Sequence, residues 1–350
     1  MKLINTILLS TLLSHAGTEA LSPSTISPSC PCDHTKHNHY TPIGVMASHT
    51  HEQGEWMFSY RYMFMNMQDN FMGTNEVSPT DIFMQGFMVA PIDMQMDMHM
   101  FGSMYALTDR LTLVGMLNLV ELEMLHQRSP MMVMMGGPST FSTSSSGIGD
   151  ASIGALYSLA NTKQQNVVAG LSLVLPTANT NEKDSIPNMM GMGVHQTLPY
   201  PMQLGSGSWG IKPSLTYTAH AGSLTLGAQV SGQIQLDDNS QGYKVGNRLS
   251  ATTWLSHPVF KNLNASLRTA YTAWSSISGT HEELAPLPVQ TTNTNLSGGQ
   301  KLDAFFGLGY DIPQLHTRLN AEVGQTLWQD LNGPQLGSDW SLMLGLQSTF

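Results

Sequence analysis

The chain has 350 residues, 41% of them hydrophobic and only 11% charged, with a formal net charge of −10. The acidic balance excludes a nucleic-acid binder, which needs a basic surface. No run of about 18 apolar residues follows the N-terminus, which excludes helical membrane spans. The 2 cysteines, Cys30 and Cys32, rule out a multi-disulfide scaffold, and 32 glycines scattered between short alternating runs point to a β protein rich in turns.

Residues 1–20 read as a secretory signal peptide. Lys2 supplies the positive start, residues 3–13 the apolar stretch, and Ser14-His15-Ala16 and Thr18-Glu19-Ala20 the small-residue cleavage options. Residues 21–53 read as a periplasmic arm rich in Pro, Ser, Cys and His, disordered or extended. It carries Cys30, Cys32, His34, His37, His39, His49 and His51, and thiolates and imidazoles are ligands for copper and zinc. Their spacing matches no closed structural zinc site, and a Cys30–Cys32 disulfide is the competing reading.

From Gly54 to Phe350 the chain becomes a series of period-two runs, near 54–67, 92–107, 110–125, 147–159, 166–177, 205–218, 223–236, 246–257, 262–276, 300–312, 316–329 and 339–350. Short connections (108–109, 161–165, 219–222, 258–261, 313–315) alternate with long ones (68–91, 126–146, 178–204, 237–245, 277–299, 330–338). That alternation predicts an all-β, up-and-down transmembrane β-barrel of about 12 antiparallel strands, with short periplasmic turns and long external loops. A Greek-key sandwich would not alternate so regularly.

The strand faces set the expected lumen. In the first run Trp56, Phe58, Tyr60, Tyr62 and Phe64 share one face, and Arg61, Met63, Met65 and Met67 the other. An arginine in the lipid midplane is costly, so the Arg-Met face is expected inward. In the second run Asp93, Gln95, Asp97 and His99 alternate with Met94, Met96, Met98 and Met100; the charged set is expected inward and the methionines toward lipid. In the third, Glu121 and Glu123 join the expected lumen, with a bulge near Asn118 because Leu111 and Leu113 share their parity. The resulting patch of Asp93, Asp97, Glu121 and Glu123 predicts cation preference in a pore.

The last run ends the argument on a closing strand. Trp340, Leu342, Leu344, Leu346 and Phe350 fall on one face, an apolar band with an aromatic at each end. A naked apolar edge is an aggregation hazard that barrel closure removes. The aromatic terminus resembles the C-terminal signal that barrel-assembly machinery reads in bacterial outer-membrane proteins.

Several stretches carry a family resemblance in order along the chain: SSGIGD (145–150), LVLPT (173–177), GSGSW (205–209), GYKVGNR (242–248), NGPQL (332–336) and the terminal Phe. Together they resemble the outer-membrane transporter family named for the MetA pathway of phenol degradation. The resemblance implies a barrel in the cell outer membrane that passes small, often hydrophobic, solutes, and brings no catalytic residues. The methionine-dense first third and the Cys/His arm depart from that pattern. Of 25 methionines most lie between Met57 and Met135, and thioethers favour Cu(I). Met63, Met65 and Met67 therefore join the arm as candidate copper ligands. A hydrolase is not supported: no GxSxG elbow is present, and the nearest serine and histidine candidates fall at opposite barrel ends. The sequence thus predicts a passive outer-membrane transporter, with a metal-handling surface barrel and a structural or adhesive barrel as alternatives.

Overall fold

The computed structural model describes residues 40–284 and 289–350. Strand β1 (Trp56–Gly73) is followed by the short β2 (Asn75–Val77) and helix α1 (Pro79–Met84). β3 (Val89–Thr108) and β4 (Leu111–Arg128) form a long hairpin. Helix α2 (Pro130–Met134) then leads to β5 (Thr140–Ile148) and β6 (Ser152–Asn161). Both loop helices begin with a serine N-cap followed by proline, Ser78-Pro79 and Ser129-Pro130, which satisfies a free amide and presets the first helical φ. β7 (Gln165–Val174) precedes a loop that holds the small hairpin β8 (Lys183–Pro187) and β9 (Gly193–Thr197). Then come β10 (Gly210–Ala221), β11 (Leu224–Gln235), β12 (Tyr243–Lys244), β13 (Arg248–Phe260), β14 (Leu263–Trp274), β15 (Ser278–Gly279), β16 (Gly299–Ile312) and β17 (Thr317–Thr349).

The main sheet runs β17-β16-β14-β13-β11-β10-β7-β6-β4-β3-β1 and closes by pairing β17 with β1. Every junction in this ring is antiparallel, and such a ring needs an even number of crossings. The 33-residue β17 resolves the count: its first part pairs with β16 up to Leu331, and from Leu331 onward it pairs with β1. It climbs and descends within one element, giving twelve crossings. Residues 330–338, expected as a long loop, are therefore a reversal inside continuous sheet. The fourth expected run is likewise divided, because β5 and β6 both pair with β4, one above the other.

Alternation explains the wall. In β14 every second residue is buried, with Leu267 and Tyr271 exposed on the opposite face. The outside carries Leu113, Leu117, Leu171, Leu215, Val230, Leu267, Val323 and Leu344, with Trp56, Tyr105, Phe64 and Trp340 as paired aromatics near its borders. This is an apolar belt with aromatic girdles. Tight turns close one end; at the β10–β11 turn Gly222 (φ 63) provides the positive φ such a turn requires. Among the described residues no helix is long and apolar enough to cross a membrane.

The ring closes through Trp56 and Phe350, whose amides donate to each other's carbonyls at 3.0 and 2.8 Å. Replacing Phe350 with Asp puts a charge at the border of the belt, beside Phe58, and impairs closure. The expected result is loss of the fast-migrating species on unboiled gels; a normal folded yield would refute this role.

Candidate functional site

Residues 40–53 lie inside the barrel. Their path is fixed by contacts with inward residues about five positions up from the tight-turn end. Ile43 sits over Gly345, where an added Cβ would come within 2.6 Å of its Cδ1. Gly44 passes over Arg268 and Glu322. The Met46 carbonyl accepts from Gln229 Nε2 at 2.7 Å, and the Ala47 carbonyl from Thr216 Oγ1 at 3.4 Å. The His51 amide donates to Thr112 Oγ1 at 3.1 Å and the Gln53 amide to Asp109 Oδ1 at 2.9 Å. Ile43 and Val45 are buried. The segment thus touches β17, β14, β11, β10 and β4 and forms a plug across the lumen. The expected periplasmic arm ends before it: His49 and His51 belong to the plug, whereas Cys30, Cys32, His34, His37 and His39 lie outside the described residues.

His49 and His51 stack edge to face at 4.9 Å. Burial pushes the His51 imidazole below its ordinary value, and Glu55, 3.4 Å away, pulls it partly back. Among the described residues no three His, Cys, Asp or Glu side chains converge on a metal-sized site.

The opposite end is capped. Leu198, Met202 and Leu204 fold inward against Met94, Val120, Leu122 and Met124. Ser145 Oγ donates to the Met202 carbonyl at 2.6 Å. Loops carrying Tyr200, Tyr243 and Leu284 join in a second apolar cluster. Glu283 ties the cap across strands: it accepts from Thr197 and pairs with Lys183 at 2.9 Å, and these bonds, Thr197 first, hold it below the usual carboxylate range. Arg128 stitches α2 to the β8–β9 hairpin by donating to the carbonyls of Gly136, Pro138, Asn188 and Met189.

Between plug and cap the wall is polar and basic. Arg61 is buried and faces inward, opposite Met100 on β3 and Gly345 on β17. Lys212 and Arg248 share the inward parity of Thr216 and Trp254. These three cations have no ion-pair partner among the described residues. Arg268 and Glu322 form a buried ion pair, with the guanidinium 3.6 Å from the centre of the Phe305 ring.

The expected lumen carboxylates are on the outer face. Opposed residues in a ladder share a face, so the pair Arg61–Met100 fixes β3. Met94, Met96, Met98 and Met100 point inward, and Asp93, Asp97 and His99 point outward. The pairs Asp97–Glu121 and Gln95–Glu123 carry the assignment to β4, so Glu121 and Glu123 also point outward and Val120, Leu122 and Met124 inward. The bulge expected near Asn118 is absent: the β3–β4 register shifts only at Pro91/Asp93 and Ala106/Thr108. The outward charge is tolerated because β1, β3 and β4 are 18, 20 and 18 residues long. A tilted strand needs about 9–11 residues to cross the bilayer, so their upper parts stand above the apolar belt. The border is marked by Tyr60, whose hydroxyl lies 2.8 Å from His99 Nδ1, and by Tyr62, which donates to Asp97. With Cys30 and Cys32 changed to Ser, a cysteine at Met98 should react with small water-soluble thiol reagents, and one at Leu119 with lipid-soluble reagents. The opposite pattern would reverse the assignment of faces.

A closed antiparallel barrel with a girdled apolar belt outside and polar residues inside is an outer-membrane β-barrel. The chain belongs to the family described as "Putative MetA-pathway of phenol degradation", whose pattern matches residues 86–329. Comparison with curated protein sequences finds no match. Among solved structures it is similar to the COG4313 outer membrane channel from Pseudomonas putida F1, at 14% identity and a TM-score of 0.57 over 88% of this chain and 100% of that one. It also matches a Pseudomonas aeruginosa FadL homologue (11% identity, TM-score 0.42, 85% and 90% of the two chains). At such identities the likeness concerns the fold.

Proposed function

We propose that this barrel is a passive channel for small solutes, delivered to the outer membrane behind its N-terminal signal and inserted there by the barrel-assembly machinery. The observation that carries the reading is the basic, polar wall left between plug and cap. A purely structural or adhesive barrel has no need of Arg61, Lys212 and Arg248 without ion-pair partners inside it, since burying a charge costs free energy that water or a passing ion can offset. Exposed Arg248 side-chain surface within the wall fits a wet lumen. Diffusion then runs down a gradient once the plug moves.

The charge of the wall sets the selectivity. With the carboxylates of β3 and β4 outside, the open pore should prefer anions. The test is reversal potential in a salt gradience across planar bilayers. Replacing Arg61, Lys212 and Arg248 with Met should lower the anion/cation permeability ratio, whereas Asp97→Asn, Glu121→Gln and Glu123→Gln together should leave it unchanged. A pore that stays closed to salt after the plug is displaced would refute the channel reading.

A further inference from the structure

All methionines of β3 and β4 face the lumen, and so do Met57, Met63, Met65 and Met67 of β1. Met is a flexible apolar filler, and a lipid-facing position needs only to be apolar. Filler alone would place methionine on both faces, yet apart from Met72 near the end of β1 the exposed large apolar residues of these strands are Trp, Phe, Tyr and Leu.

The ladder registers bring these thioethers together. Met63 lies opposite Met98 on β3 and opposite Met343 on β17, so three methionines form one row across three strands. Met65 and Met96 form the next row. Directly opposed residues have Cβ atoms about 4.5–5.5 Å apart, and successive rows are within reach of long side chains. Three rotatable bonds let such sulfurs converge on one point. The row beyond, Met67 and Met94, belongs to the cluster with Leu198 and Met202 of the cap, and Met96 and Met98 pack at the edge of that cluster. Met63, Met65, Met96, Met98 and Met343 are only half-buried, on the stretch of wall between cap and plug.

The surroundings select the ion. The carboxylates of β3 and β4 point outward, so these rows offer hard cations no carboxylate, only the neutral hydroxyl of Ser341 opposite Met65. Arg61, one row toward the plug, further disfavours dications. Neutral thioethers favour a soft monovalent ion. We propose that Met63, Met65, Met96, Met98 and Met343 form a binding site for Cu(I), or chemically for Ag(I), on the inner wall. The site goes beyond the channel reading: binding needs the wall alone and is measured without conduction.

The test uses the full-length barrel folded in detergent, with the arm silenced by Cys30→Ser, Cys32→Ser, His34→Gln, His37→Gln and His39→Gln. Cu(I) under reductant is titrated against a chromophoric chelator, with Ag(I) as a redox-inert counterpart and Zn(II) as a hard control. The arm-silenced barrel should bind Cu(I) and Ag(I) but not Zn(II). X-ray absorption of the copper-loaded protein should show a sulfur-only shell. Met63→Leu, Met96→Leu and Met98→Leu together keep volume and hydrophobicity, so the fold should persist, checked by heat-modifiable migration. They should weaken Cu(I) binding by about tenfold or more. Met131→Leu with Met134→Leu, on exposed α2, should leave it unchanged. Absence of Cu(I) binding in the arm-silenced barrel would overturn the proposal, as would an affinity indifferent to the three wall substitutions.

Discussion

Gly44→Leu should raise the single-channel conductance of the barrel several-fold. Any side chain at this position collides with the wall: a Cβ would come within 2.6 Å of Glu322 Oε1 and closer still to the Arg268 guanidinium. Those two side chains are buried and held to each other, so they have no room to give. The plug must lift instead. Its attachments include the bonds to Met46, Ala47, His51 and Gln53, the Arg318 guanidinium over the Tyr40 ring at 5.6 Å, and the burial of Ile43 and Val45. Neutral hydrogen bonds of this kind contribute about 0.5–1.5 kcal/mol each, so a clash of a few kcal/mol shifts the docked population strongly. The barrel wall should be unaffected, which unchanged heat-modifiability would show. Planar-bilayer recordings are the direct measurement. Equal conductance in wild type and Gly44→Leu would mean that residues 40–53 do not close the pore.

Breaking the Arg268–Glu322 pair should have the largest effect on stability. Glu322→Gln leaves the guanidinium charged and without a counter-ion in a site where it is 7% exposed. Removing one partner of a buried pair costs about 3–5 kcal/mol. Arg268→Met should cost a similar amount by stranding the carboxylate. The double variant Arg268→Met, Glu322→Leu removes both charges and should recover most of the loss, because apolar residues of similar volume replace a buried pair at little cost. Denaturant unfolding in detergent, followed by tryptophan fluorescence, gives all three values. A double variant no more stable than the two single ones would show that the loss comes from packing around Phe305 and the plug, not from the stranded charge.

Much of the barrel was legible in the chain. Period-two runs locate the wall strands, and alternating short and long connections identify an up-and-down barrel. The terminal strand shows its outer face directly, since Trp340, Leu344, Leu346 and Phe350 are exposed and Met343 and Gly345 meet β1 on the inside. What alternation cannot supply is which face of an isolated strand turns inward. On β3 the rule that charge faces the lumen selects Asp97 and His99, but it holds only within the membrane's thickness, and this strand is long enough to outreach the belt. Only the register to β1 decides, because Arg61 and Met100 must share a side once the strands pair. The plug was hidden for a related reason. Residues 40–53 have no periodicity of their own, and the groups that seat them, Thr112, Thr216, Gln229 and Gly345, come from strands far apart in sequence. The sequence by itself determined most of the strands, the tight turns between them and the closing edge, each a local pattern. The inward methionine wall, the outward carboxylates and the filled lumen were decided by ring closure, which alone brings distant strands into one register and gives the barrel an inside.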